Sequence, residues 1–182
     1  MMIRYLLLSS LLALSACQSH RLVELDYQPE RNYHSLQSWQ WAEPAIQFMP
    51  DSEQHKSDLD AERVRNAISE QLTQQGFQHN NNNNAQLQVR AWLITEEHQQ
   101  RTQVMQSDYW GGIWGPSLRA ESYDTTYTTQ KLQIDLLDSS TQQLIWRGSD
   151  SWTLPQRRIS PLARDTKLRQ QVQQILQYFP PQ

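Results

Sequence analysis

One cysteine, Cys17, is all that a chain of 182 residues carries. No disulfide can close within the chain, so the fold must stand on packing alone. Glycine is nearly as scarce: there are five, and three of them fall within residues 111–115. Backbone freedom is thus concentrated in one short segment. Long apolar runs are missing too. The stretch Tyr5 to Ala16 covers about twelve residues, roughly 18 Å of helix at ~1.5 Å per residue, against the ~30 Å of hydrocarbon that a spanning helix must cross. Neither sign of charge dominates. The formal net charge is −3 with acids and bases interspersed, which argues against the basic footprint of a nucleic-acid binder. HExxH, GxSxG, a Walker loop and Cys-x-x-Cys are all absent. The histidines, His20, His34, His55, His79 and His98, lie in the tether or in polar segments, no two at metal-ligand spacing. Glu96-Glu97-His98 is the one local cluster of titratable groups, and it falls at the end of a strand pattern, where solvated charges are ordinary. These absences favour a non-enzyme with no metal and no cofactor.

What is present begins at the front. Arg4, the apolar run Tyr5 to Leu14 and the small residues after it have the three-part layout of a cleaved secretory signal. Leu14-Ser15-Ala16-Cys17 resembles the bacterial lipoprotein box. That resemblance implies cleavage before Cys17, a diacylglyceryl thioether on its sulfur, and an N-acyl chain such as palmitate on the new terminus. One acyl chain holds a protein only marginally, whereas two or more hold it stably. Gln18 follows the cysteine where aspartate would favour retention at the inner membrane, so the resemblance implies an outer-membrane anchor facing the periplasm. The expected organisation is a signal peptide at 1–16, a lipidated tether at 17–20 and one domain at 21–182.

Hydrophobic residues make up 37% of the chain, including seven Trp, seven Tyr and three Phe, and large aromatics build a core from few residues. Period-two patterns predict strands over Arg21–Tyr27, Leu36–Trp41, Ala85–Thr95, Tyr123–Asp138 and Gln143–Leu154. In the third of these Leu87, Val89, Ala91 and Leu93 point inward, with Trp92 and Ile94 on the opposite face. The apolar parity changes between Tyr127 and Leu132, which predicts a bulge near Gln130. Pro44–Ser57 reads as a polar crossing, Asn80–Asn84 as a solvated loop, and Glu96–Ser122 as a long segment without regular structure. Val64, Ala67, Ile68 and Leu72 recur at helical spacing within Asp58–Gln75, with Ser57 and Asp60 as a capping pair and Gly76 as the stop. Ser160-Pro161 opens a second helix whose stripe is Leu162, Leu168, Val172, Ile175, Leu176 and Phe179. The order β-β-α-β-β-β-α predicts an α+β two-layer sandwich: a mainly antiparallel sheet of about five strands with both helices on one face.

Three stretches, DYQPERNYHSLQSWQW (Asp26 to Trp41), DYWGGIWG (Asp108 to Gly115) and LQIDLLDSSTQQLIWRG (Leu132 to Gly148), together with the closing Tyr178-Phe179-Pro180, resemble the bacterial lipoproteins of domain-of-unknown-function family 4136. The likeness runs over the whole chain after Cys17. Gln130-Lys131 stand where that family usually has Gly-Thr. The resemblance implies an envelope location and this α+β fold, and implies no reaction.

Two surfaces remain as candidate sites. Tyr109, Trp110, Ile113 and Trp114 place large apolar side chains on a glycine-bearing loop, a pattern suited to a partner or lipid contact. The same rings could equally fold over the outer sheet face near Trp92. Arg147, Arg157, Arg158, Arg164 and Arg169 gather near the last strand and helix, either as an anion site or as a solvated face paired with carboxylates. The function expected is a non-catalytic outer-membrane lipoprotein that meets an envelope protein partner and touches the membrane through its anchor. A lipid- or hydrophobic-ligand-handling accessory protein is the alternative, and an envelope hydrolase comes third.

Overall fold

The computed structural model describes residues 23–80, 84–108 and 117–181, with 106–108 and 117–121 described by backbone alone. The elements in chain order are β1 (Glu24–Tyr27), β2 (Ser38–Met49), α1 (Asp58–Gln74), β3 (Gln78–His79), β4 (Leu87–Asp108), β5 (Ser117–Asp138), β6 (Leu144–Thr153) and α2 (Pro161–Leu176). A short 3-10 turn, Tyr33–Ser35, sits between β1 and β2.

The strands form one sheet in the order β1-β6-β5-β4-β2-β3. Neighbours along β1-β6-β5-β4 are antiparallel, while β2 runs parallel to β4 and to β3. α1 lies between β2 and β4 in the chain, the long connection that parallel neighbours require. The sheet has six strands rather than about five. The addition is β3, whose two residues are too few to leave a pattern in the sequence.

Both helices bury their stripes on one face of the sheet. Val64, Ile68 and Leu72 of α1 and Leu168, Ile175 and Leu176 of α2 are fully buried against Leu87, Val89, Ala91, Leu132, Ile134, Leu136 and Trp146. Each such aliphatic side chain contributes about 1.5–3 kcal/mol on leaving water. Phe179 closes the far end, with its ring 5.3 Å from Phe77, 5.4 Å from Trp146 and 6.0 Å from Tyr33. The caps follow the sequence. Ser57 Oγ accepts from the Asp60 amide and Ser160 Oγ from that of Ala163, Pro161 opens α2, and Gly76 takes φ +91° after α1. Leu162 departs from the expected stripe: it lies in the first turn of α2, ahead of the contact with the sheet, and is exposed.

Two local expectations are corrected. β2 does not end at Trp41. It leaves β4 after Trp41↔Val89, makes an excursion containing Pro44, and resumes at Ile46↔Ala91. Proline cannot donate to a ladder, and the excursion places it where no ladder bond is needed. No bulge occurs near Gln130 between β4 and β5, whose pairing runs unbroken from Leu87↔Asp138 to Asp108↔Ser117. Tyr123 and Tyr127 simply occupy the outer face while Leu132, Ile134 and Leu136 occupy the inner one. The irregularity lies instead between β5 and β6, where Leu136 faces Trp146 and Leu137 faces Leu144. The extra residue, Ile145, lets Ile145 and Trp146 both be buried.

Candidate interaction surface

Within the segment expected to lack regular structure, residues 96–108 and 117–122 are strand. β2 stops pairing with β4 at Ile94, and β6 stops pairing with β5 at Thr129. Beyond those points, apart from the bond from Leu154 N–H to Thr128 O (2.8 Å), residues 96–108 and 117–128 have no ladder partner but each other among the described residues. Roughly 13 residues at ~3.3 Å each make an arm about 43 Å long. Beyond Thr128, neither outer edge of this ribbon has a neighbouring strand among the described residues, and an open edge is the surface on which an extended segment of another chain can add.

The two faces of the arm differ. One continues the helix-covered side of the sheet and carries Glu97, Gln99, the Arg101–Asp124 pair (2.9 Å) and an exposed Met105. The other continues the helix-free side and carries Thr102, Val104, Tyr123, Thr125 and Tyr127. Tyr123 is 54% and Tyr127 37% exposed. At the root the His98 ring stacks on Tyr127 with centroids 5.0 Å apart, and His98 Nε2 lies 2.9 Å from Thr129 Oγ1.

Below the arm the helix-free face of the body is a set of internal ion pairs. Asp135, nearly buried, accepts from Arg147 Nε and Nη2 at 2.7 and 2.8 Å and from Trp92 Nε1 at 3.2 Å. The hydrogen bond to Asp135 raises the Arg147 pKa. Lys131 Nζ meets Glu24, which also accepts from Ser149 Oγ at 3.1 Å. Those contacts, the Lys131 hydrogen bond first, hold the Glu24 carboxyl below its ordinary range. An open cleft of about 270 Å³ lies among Glu24, Asp26, Lys131, Gln133, Arg147 and Ser149. A second, of about 330 Å³, is bordered by Ile46, Phe48, Met49 and Trp92.

Cys17, the Leu14-Ser15-Ala16 box, Tyr109, Trp110, Ile113 and Trp114 lie outside the described residues. In sequence the last four fall between the two strands of the arm. Of the clustered arginines, Arg147 pairs with Asp135, Arg164 with Asp60, and Arg169 with Asp165 and Glu70. Those three belong to a face of paired charges. His34, His55, His79 and His98 stand on separate elements, and among the described residues no three His, Cys, Asp or Glu side chains converge as a metal site would need. Sequence reasoning read residues 123–128 as strand but missed their partner 96–108 and the extension 117–122, because both faces there are polar and leave no alternation.

The family described as "Domain of unknown function (DUF4136)" matches residues 23–181. No curated protein matches the chain. A DUF4136 family protein from Bacteroides thetaiotaomicron VPI-5482 superposes with TM-score 0.52 at 15% identity, covering 86% of this chain and 96% of that one. A PDZ domain protein from Parabacteroides distasonis ATCC 8503 gives 0.54 at 8% identity, covering 88% of this chain and 35% of that one, so the present chain spans about a third of its length. At such identities the two likenesses speak for the fold alone. The family match runs from the residue before β1 to the end of the described chain, and the chain belongs to the DUF4136 family.

Proposed function

We propose that the chain is a non-catalytic lipoprotein of the outer membrane, anchored through acylated Cys17 and facing the periplasm, whose task is to hold another envelope protein. The observation that carries this reading is the arm: two polar strands standing about 43 Å beyond the sheet, with no neighbouring strand on either edge among the described residues. A two-stranded ribbon is marginal by itself in water, and edges without a bulge, a proline or a lysine among the described arm residues are suited to strand addition. The short apolar leader ending at Cys17 supports the anchor and the compartment.

The test is site-specific photocrosslinking in cells. A crosslinking residue at Gln99 or Thr126, on the arm, should capture a defined envelope protein, whereas one at the exposed Gln170 of α2 should not. Replacing Trp110 and Trp114 by alanine asks whether the sequence between the arm strands takes part. Capture from α2 with none from the arm would remove the arm from the function.

A further inference from the structure

The two edges of the arm differ in what flanks them at the root. Leu154 N–H donates to Thr128 O at 2.8 Å, so the backbone groups of Thr128 face away from β4. Outward and inward groups alternate along an antiparallel ladder, and those of Thr126, Asp124 and Ser122 therefore face the same way. This outer edge of β5 runs on from the end of β6, where Pro155 has no N–H to add. Arg157 and Arg158 come three and four residues after Leu154, within about 14 Å of it along the chain. Both are exposed. The ion pairs among the described residues engage Arg31, Arg63, Arg101, Arg147, Arg164 and Arg169, and neither of these two. The outer edge of β4 is flanked by acid instead. There the chain leaves β2 through Asp51, Glu53 and Lys56, and Lys56 Nζ already lies 2.9 Å from Asp51 and 3.3 Å from Glu53. Glu96 and Glu97 stand at the root of that edge. One edge thus starts beside two unpaired guanidiniums and the other beside carboxylates.

The features of the β5 edge point to one kind of occupant. Outward backbone groups at every second residue match an extended segment. A guanidinium is best met by a carboxylate, which it can bind with two parallel bonds. Such exposed charges select the partner and its register more than they add affinity. Beside the edge the rings of Tyr123 and Tyr127 stand exposed, and aromatic rings pack well against β-branched or aromatic side chains on a neighbouring strand. The charges farther along β5 do not compete with the root. Asp124 is held by Arg101 at 2.9 Å, and the register puts Arg119 and Glu121, one of each sign, beyond it. Resting on the arm as the docking surface proposed above, we infer that its β5 edge takes an extended segment of an envelope protein. The acidic residues of that segment lie at the arm's root, against Arg157 and Arg158.

The test places p-benzoylphenylalanine, in cells, at Thr126 on the β5 edge, at Gln99 on the β4 edge, or at Gln170 of α2. All three positions are exposed. Each is read in the otherwise unchanged chain and again with Arg157→Glu and Arg158→Glu together. Capture at Thr126 should fall several-fold on charge reversal, while Arg157→Lys with Arg158→Lys should keep most of it. The captured peptide, sequenced by mass spectrometry, should come from an envelope protein and carry Asp or Glu beside the crosslink. Because both arginines are exposed, the urea midpoint of the reversed chain should not move, which separates lost contact from lost fold. Undiminished capture by the reversed chain, or a captured peptide without carboxylates, would overturn the inference. A peptide of this same chain would also overturn it and would give the edge to a second copy. Capture at Gln99 without capture at Thr126 rejects the β5 edge and leaves the arm as the docking surface. No capture from either position rejects the arm, and the inference with it.

Discussion

At Gly148 the backbone of β6 passes beneath the Trp146 indole. A Cβ built there would lie 2.5 Å from Trp146 Cη2 and 2.6 Å from Ile175 Cγ2, closer than such atoms pack. Gly148→Ala is expected to cost about 1–3 kcal/mol, read as a lowered urea midpoint; an unchanged midpoint would mean that the ring gives way freely. Asp60 is the other pivotal residue. It is 3% exposed, accepts from Arg164 Nε at 2.8 and 2.7 Å and from Arg63 Nη1 at 2.7 Å, and so ties the start of α1 to α2. Burial alone would raise its pKa, but the Arg164 and Arg63 guanidiniums outweigh burial and hold it below the usual 3.8. A carboxyl depressed in the folded state contributes stability that is fully present above its unfolded pKa and is lost as pH falls through the folded value. Asp60→Asn should therefore lower stability at neutral pH by about 2 kcal/mol and should flatten the loss of stability seen on acidification below about pH 4. Urea midpoints at pH 7 and pH 3 for both proteins check this. An equal acid loss in both would place the effect elsewhere.

The elements differ in how plainly the sequence announced them. α1 and α2 were legible to within a residue or two, because Ser57, Ser160, Pro161 and Gly76 mark their ends and the stripes face a core. Ser57→Ala should cost about 1 kcal/mol by the same denaturation measurement. The inner faces of β4 and β5 were equally plain, since Leu87, Val89, Ala91, Leu93, Leu132, Ile134 and Leu136 alternate with residues facing away from the helices. The arm was legible only in residues 123–128, within the strand expected over Tyr123–Asp138. Alternation records burial on one side, and Gln99, Arg101, Thr126 and Thr128 oppose residues scarcely more apolar, so the pattern disappears where the helices stop covering the sheet. Tyr123 and Tyr127 then imitated a parity break that only a bulge would explain. The same contrast predicts dynamics. Amides of 97–105 should exchange with solvent faster than those of 87–94 by about tenfold or more, because the arm lacks both a core and outer neighbours. Equal protection along all of β4 in the isolated protein would show that the arm does not depend on a partner or a surface.

On the scale of the whole molecule, a compact sandwich holds a long polar ribbon, and β1 begins with Glu24 beside Ser149, on the side of the sheet from which that ribbon extends. The candidate contact residues Tyr109, Trp110, Ile113 and Trp114 lie outside the described residues. The ion pairs of Asp135, Glu24 and Asp60 leave the body's clustered charges largely satisfied within the chain, which directs attention to the arm as the surface with unmet bonding capacity. Everything proposed about compartment and contact depends on the state of one sulfur. The most direct measurement is the intact mass of the native protein extracted from membranes. A chain that begins at Cys17 and carries a diacylglyceryl group and an N-acyl chain is the expected result; a free thiol at position 17, or a chain that retains its leader, would contradict it.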